Sequence, residues 1–162
     1  MSLRILLAAV AAVFFGAVLR SGDALGAGAR VQTLEVSVIH ATRTDGGGSM
    51  DPQLRDLPQL TQQQPFVRYN VFRLVDRKQL PCEKGKPVVF GLVDGRTLQV
   101  TLVDVIERKN DQRYHLRAEI AGAGKKEFLK LLEVTAGPNE PFFVAGQSYQ
   151  GGTLFLELVV RG

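Results

Sequence analysis

The chain has 162 residues, of which 45% are apolar and 22% are charged, and its formal net charge is +4. This composition excludes a disordered chain and suits one globular domain, while the mild positive charge is compatible with an anionic partner without requiring one. The single cysteine, Cys82, excludes a disulfide within the chain, so the fold has to be held together by burial.

Residues 1–29 have the layout of a secretory signal peptide. A basic start is followed by an uncharged stretch, "ILLAAVAAVFFGAVL", and then by small residues. Ala27-x-Ala29 predicts the cleavage site, and Gly22-x-Ala24 is a second candidate. A retained anchor is the alternative, favoured by Arg20 close behind the apolar stretch, but a membrane span needs about 20 apolar residues. We therefore expect export and a single mature domain over residues 30–162.

Alternation of apolar and polar residues predicts β-strands in the mature chain, each with one buried and one mostly wet face. In the first strand, Leu34, Val36 and Val38 alternate with Glu35 and Ser37. The same pattern recurs later, and further strands have apolar residues on both faces. The remaining predicted strands are 67–75, 86–93, 96–105, 114–120, 125–134, 140–146 and 153–161.

One short helix is expected in "MDPQLRDLPQL", residues 50–60. Asp51 is the predicted N-cap, and three leucines share one face, while Pro58 limits the helix to about two turns. Asp94-Gly95 predicts a hairpin, and other short turns separate the strands. The sequence therefore predicts a mainly β fold, an antiparallel β-sandwich or small barrel of about eight strands with one short helix. The strand nearest Gly162 is expected at a sheet edge.

The glycines at 46–48 precede this helix and raise the question of a phosphate site. A phosphate loop needs a lysine after the glycines, which this stretch lacks, and Asp51 would itself occupy the positive end of the helix. Asp45 and Asp51 match no calcium loop. The stretch is therefore interpreted as a connector.

No catalytic residue, metal or cofactor is predicted. Cys82 lies in a turn-like segment beside Glu83, whose charge would raise the thiol pKa, and neither His40 nor His115 forms a recognisable pair with it. One cysteine and two distant histidines satisfy no zinc spacing. A carboxylate pair remains an open alternative, because four acids could meet in space: Asp94, Asp104, Glu107 and Asp111.

A partner-binding surface is the remaining candidate. Basic residues concentrate in the second half of the chain and could share one face if the strands near 112–120 and 125–134 pair. A solvated face with acidic counter-charges is the plainer interpretation. Tyr149, between glycine-rich turns, is expected to pack on or hydrogen-bond across its corner. The candidate partner-binding residues are Arg113, Arg117, Lys125, Lys126, Lys130 and Tyr149.

Several stretches are similar to a group of small exported β-proteins of Gram-negative bacteria. These stretches include "LEVSVIHATRTDGGGSMDPQLRDLPQL", "YNVFRLVD" and the closing "FFVAGQSYQGGTLFLELVV". The matching motif residues are Asp51, Pro52 and Leu54 in the middle, and Gly146, Tyr149, Gly152 and Leu154 at the end. The resemblance implies an envelope location and a structural or binding role, and it carries no activity.

These observations predict a non-catalytic binding or assembly component of the periplasm or cell envelope, or of the cell exterior, that acts through a sheet edge or a basic face. The expected partner is an envelope protein, with an acidic polymer or a lipid headgroup as alternatives. Nucleic acid is not expected, because aromatic residues do not interleave with the basic ones. The alternative function is a hydrolase or lyase with an unrecognised carboxylate site. The oligomeric state is not specified by the sequence.

The signal-peptide interpretation predicts that the mature chain begins at Arg30, because Ala27-x-Ala29 is the preferred peptidase site. Amino-terminal sequencing of the protein purified from its native cell checks this. A chain that still begins within residues 1–4 would instead support the retained anchor.

Overall fold

The computed structural model describes residues 30–162, so the predicted signal peptide lies outside the described residues. This part of the chain forms nine strands and three short helical segments. The strands are β1 (Gln32–Thr42), β2 (Ser49–Met50), β3 (Val71–Cys82), β4 (Pro87–Gly91), β5 (Thr97–Arg108), β6 (Asp111–Ala121), β7 (Leu129–Ala136), β8 (Phe142–Tyr149) and β9 (Gly152–Arg161). The helical segments are the α-helix α1 (Gln59–Gln62) and two 3₁₀ turns, Pro52–Leu54 and Phe66–Arg68.

The strands form two sheets. Sheet A has the order β2-β3-β1-β9-β8, and sheet B has the order β4-β5-β6-β7. Neighbouring strands are antiparallel except for the short β2, which is parallel to β3. The predicted mainly β fold with a short helix is confirmed. No helix within residues 30–162 is long and apolar enough to cross a membrane.

The main core lies between the two sheets, because alternate side chains of each strand point into the space between them. From sheet A it receives Leu34, Val36 and Val38 together with the even-numbered leucines of β9. Sheet B contributes Leu98, Val100, Leu102, Tyr114, Leu116 and Ala118.

A second core covers one end of the outer face of sheet A. There Phe155 of β9 lies edge-to-face against Phe66, with ring centroids 4.7 Å apart, and Leu54 and Leu60 are fully buried beside them. The Asp51 N-cap is confirmed, since its carboxylate accepts a 2.9 Å bond from the Gln53 amide. The prediction of a single two-turn helix is wrong, because the segment forms a 3₁₀ turn and the separate helix α1.

Several features differ from the sequence-based expectations, among them the strand predicted over 67–75, which is β3 over Val71–Cys82. β9 lies between β1 and β8 and is not at an edge, because it has apolar side chains on both faces and suits an interior position. β7 begins at Leu129, since the turn at 122–125, with Gly124 at φ +69, takes the preceding lysines out of the strand. Cys82 ends β3 and is fully buried, so it does not lie in a turn.

The covering of sheet A by the helical segment predicts a large effect of Phe155→Ala. The substitution removes a ring that is 1% exposed, so we expect unfolding in urea to require about 3–5 kcal/mol less free energy. Val89→Ala on β4, where the side chain is 55% exposed, is the control and should cost less than about 1 kcal/mol. Equal losses in the two variants would contradict this packing.

Candidate functional site

The outer face of sheet A beyond the second core carries polar side chains that the sequence led us to expect in water. The register places Arg77, Ser37 and Glu157 in one row across β3, β1 and β9, and Gln79 and Glu35 in the next row. Side chains in such rows point to the same face and lie within contact distance. The expectation that these side chains are exposed to solvent is wrong, since Glu35, Ser37 and Glu157 are only 6%, 0% and 3% exposed.

Glu35 has partners on both carboxylate oxygens. Arg161 donates to Oε1 at 2.6 Å, and Gln79 donates to Oε2 at 2.8 Å. Burial alone would raise the pKa of Glu35, but the hydrogen bonds from Arg161 and Gln79 and the nearby guanidinium charges outweigh it and hold the pKa below its ordinary value. Glu35 is therefore a stably ionised anchor for Arg161.

The pKa of Glu157 is shifted in the opposite direction. Burial raises the pKa of its carboxyl, and the Ser37 hydrogen bond and the Arg77 charge only partly oppose this effect. The Ser37 hydroxyl in turn accepts a 3.0 Å bond from Arg77 Nε. Glu157 Oε2 is buried and has no hydrogen-bond partner within residues 30–162. Two carboxyl groups on one face of the sheet thus have pKa values shifted in opposite directions.

A cavity of about 480 Å³ lies beside Glu157. Its walls come from three parts of the chain: the segment around α1, the loop between β7 and β8, and the end of β9. The lining residues are Asp56, Leu57, Pro58, Gln59, Asn139, Pro141, Glu157, Val159 and Arg161. The volume is in the range of small-molecule sites, and the buried acid is the kind of group that such sites use.

The predicted basic residues lie mostly around β6 and β7, which pair as expected. Arg113 and Arg117 are on β6, Lys130 is on β7, and Lys125 and Lys126 lie in the connection between the two strands. Glu133 stands among them, 2.9 Å from His115, 3.5 Å from Arg117 and 2.6 Å from Lys130. The pKa of Glu133 is lowered, and the hydrogen bond from Lys130 is the largest cause.

Tyr149 does not join this group, since it lies at the end of β8 in sheet A. Its backbone carbonyl is 3.0 Å from His40 Nε2, and its ring lies edge-to-face with the imidazole, with centroids 5.4 Å apart. The expectation that Tyr149 packs at its corner is confirmed. The half-buried ring stabilises the β8–β9 hairpin against β1.

The four acids considered as a carboxylate pair are each held by a separate basic residue. Their partners are Arg96 for Asp94, Lys84 for Asp104, Arg30 for Glu107 and Arg113 for Asp111. Cys82 is enclosed in the main core, and burial rather than Glu83 raises its pKa. Within residues 30–162, no group of three or more His, Cys, Asp or Glu side chains could hold a metal ion.

Comparisons of the chain with protein-family models, with curated proteins and with solved structures gave no match.

The opposite pKa shifts predict opposite pH dependences for two isosteric variants. Because the folded pKa of Glu157 is above the ordinary value of 4.5, the unfolded state ionises first, and this group lowers stability as pH rises from about that value. Glu157→Gln should therefore raise the free energy of unfolding at pH 7 and change it little at pH 4.

Glu35→Gln is the matched comparison. The folded pKa of Glu35 is below its ordinary value, so its stabilisation is present at pH 7 and is lost as the pH falls through the folded pKa. This variant should be destabilised at pH 7, with a smaller difference in acid. Urea unfolding at the two pH values measures both effects, and a Glu157→Gln protein less stable than the parent at pH 7 would contradict the assignment.

Proposed function

We propose that the protein is a non-catalytic binding component of the cell envelope, in the periplasm or on the outside of the cell, and that it pairs with an envelope protein through the edge strand β7. The signal-like residues 1–29 and the resemblance to small exported β-proteins support the location. The observation that carries the mode of binding is that β7 pairs with β6 and with no other strand of residues 30–162. An unpaired strand edge is a template for a strand of another chain.

The other edges of the two sheets have features that discourage pairing. β8 is irregular between Val144 and Gln147, and β4 is five residues long and begins with Pro87. Beyond the short β2, the edge of β3 carries several charges and Pro81. Prolines, charges, irregularities and shortness all oppose strand addition.

β7 has fewer of these features. It contains one bulge, at Leu131, and is regular from Leu132 to Ala136. Leu129 at its start is 65% exposed, the highest value among the large apolar side chains exposed within residues 30–162. Apolar side chains on an open edge favour a partner strand, because pairing would remove them from water.

Charge attraction is a weaker basis for recognition than the edge. Residues 111–140 contain five lysines and arginines and five aspartates and glutamates, so the region around β7 has no formal net charge. An acidic polymer or a lipid headgroup would therefore contact a surface that carries both positive and negative charges. Weak heparin retention is expected, and strong retention that is abolished by salt would favour a polyanion partner instead.

Site-specific photo-crosslinking in the native cell tests the edge. A photoreactive residue at position 129 on β7 should give a reproducible crosslinked protein, because a paired strand would bring its partner within reach. Position 89 on β4 is the control, since Val89 is also on an edge strand and 55% exposed. Equal crosslinking from both positions, or none from position 129, would contradict the proposal.

A charge variant separates the edge from the basic residues. With the photoreactive residue at position 135, which is exposed on β7, replacing Lys125 and Lys126 by glutamine should leave partner capture unchanged, whereas Leu129→Lys should weaken it. Loss of capture only in the variant that lacks Lys125 and Lys126 would assign recognition to charge.

A hydrolase or lyase is the second candidate, and one observation favours it. The cavity beside β9 is lined by two acids, the buried Glu157 and the exposed Asp56. Carboxyl groups in unlike environments can serve as acid and base. Turnover of chromogenic ester, glycoside or peptide substrates that is abolished by Glu157→Gln would support this function over the binding function.

A further inference from the structure

The cavity beside Glu157 is separate from the proposed edge site and contains two buried acceptors without donors. Glu157 Oε2 and Gln59 Oε1 are both buried and have no hydrogen-bond partner within residues 30–162. Both residues line the same cavity. Buried polar atoms are nearly always paired, so two unpaired acceptors at one cavity indicate a ligand that supplies hydrogen-bond donors.

The charges around the cavity favour a ligand with one positive charge. The charged groups facing Glu157 are Asp56 beside α1, Glu35 on β1, Arg77 on β3 and Arg161 on β9. With Glu157 ionised, the two guanidinium groups are matched by the carboxylates of Glu35 and Glu157, and the exposed Asp56 adds one further negative charge at the cavity. Burial disfavours the ionised form of Glu157, and a monocation beside its carboxylate would stabilise that form.

The cavity suits an organic cation better than a metal ion. Part of its wall is apolar, formed by Leu57, Pro58, Pro141 and Val159, and the rest is polar or charged. In the part of the chain that the structure describes, no group of three or more His, Cys, Asp or Glu side chains could hold a metal ion. A hard metal ion needs several oxygen ligands around it, whereas an amine needs only acceptors for its ammonium group and an apolar surface for its body.

We propose that this cavity binds a small primary amine. Its ammonium group donates to Glu157 Oε2, with Gln59 Oε1 as a second acceptor, and its apolar body lies against Leu57, Pro58 and Val159. No residue of β7 lines this cavity, so the amine proposal can be tested independently of the edge proposal.

Isothermal titration of the whole protein with three probes of similar shape tests the ligand class. The probes are cyclohexylmethylamine, cyclohexylmethanol and cyclohexanecarboxylate, which are cationic, neutral and anionic at neutral pH. The amine should bind saturably, the alcohol at least about tenfold more weakly, and the carboxylate more weakly still, because only the amine supplies a charge-assisted hydrogen bond. Equal binding of the amine and the alcohol, or no saturable binding of the amine at millimolar concentration, overturns the proposal.

Variants test the position of the site. Glu157→Gln should weaken amine binding at least about tenfold and remove the preference over the alcohol. The exposed Asp56→Asn, which carries little risk for folding, should weaken it by a smaller factor. Glu133→Gln on sheet B is the control and should bind as the parent does. Unchanged binding in a folded Glu157→Gln protein, or a loss confined to Glu133→Gln, places the ligand elsewhere and overturns the proposal.

Discussion

The pairing of β1 with β9 at the centre of sheet A constrains most of the structure, because both faces of these strands are covered. One face packs against sheet B, and the other lies under the helical segments and the β7–β8 loop. Strands covered on both faces are usually apolar throughout. Here Glu35, Ser37 and Glu157 occupy the covered outer face, so each must find its partners within the protein.

Cross-strand neighbours meet most of this requirement. Arg77 reaches Ser37, Gln79 and Arg161 reach Glu35, and each of these contacts joins two strands of sheet A. Glu157 is the exception, and an unsatisfied buried oxygen costs about 1–3 kcal/mol, a sizeable part of a typical total stability of 5–15 kcal/mol. A ligand that donates a hydrogen bond to Oε2 would offset this cost.

The strands and most turns could be predicted from sequence because they depend on local patterns. Alternation located β1, β6 and β9, and Asp94-Gly95 located the β4–β5 hairpin, where Gly95 has φ +82. The helical segment was recognised by its Asp51 cap, although Pro58 divides it. The interior position of β9 was missed, although Phe155 and Val159 on its second face signalled a strand covered twice.

The candidate cavity could not be predicted in the same way, because it depends on which strands are neighbours. Glu35 and Glu157 are far apart in the sequence, and each looks like the polar residue of an ordinary half-wet strand. Only the β1–β9 register brings Ser37 opposite Glu157, and only the covering loops remove them from water. The signal available in the sequence was weak: Glu157 is the one acid in a strand that is otherwise largely apolar.

The two proposed sites lie on different sheets but share one structural element, the loop from Gly137 to Pro141. This loop leaves the edge strand β7 and then supplies Asn139 and Pro141 to the cavity wall. It is tied to sheet A by the Asn139 amide, which donates to the Val160 carbonyl at 2.8 Å, and to sheet B through Glu140, 3.2 Å from Arg113. Because the loop is bonded to both sheets, the position of the cavity wall depends on how β7 and β9 are held relative to each other.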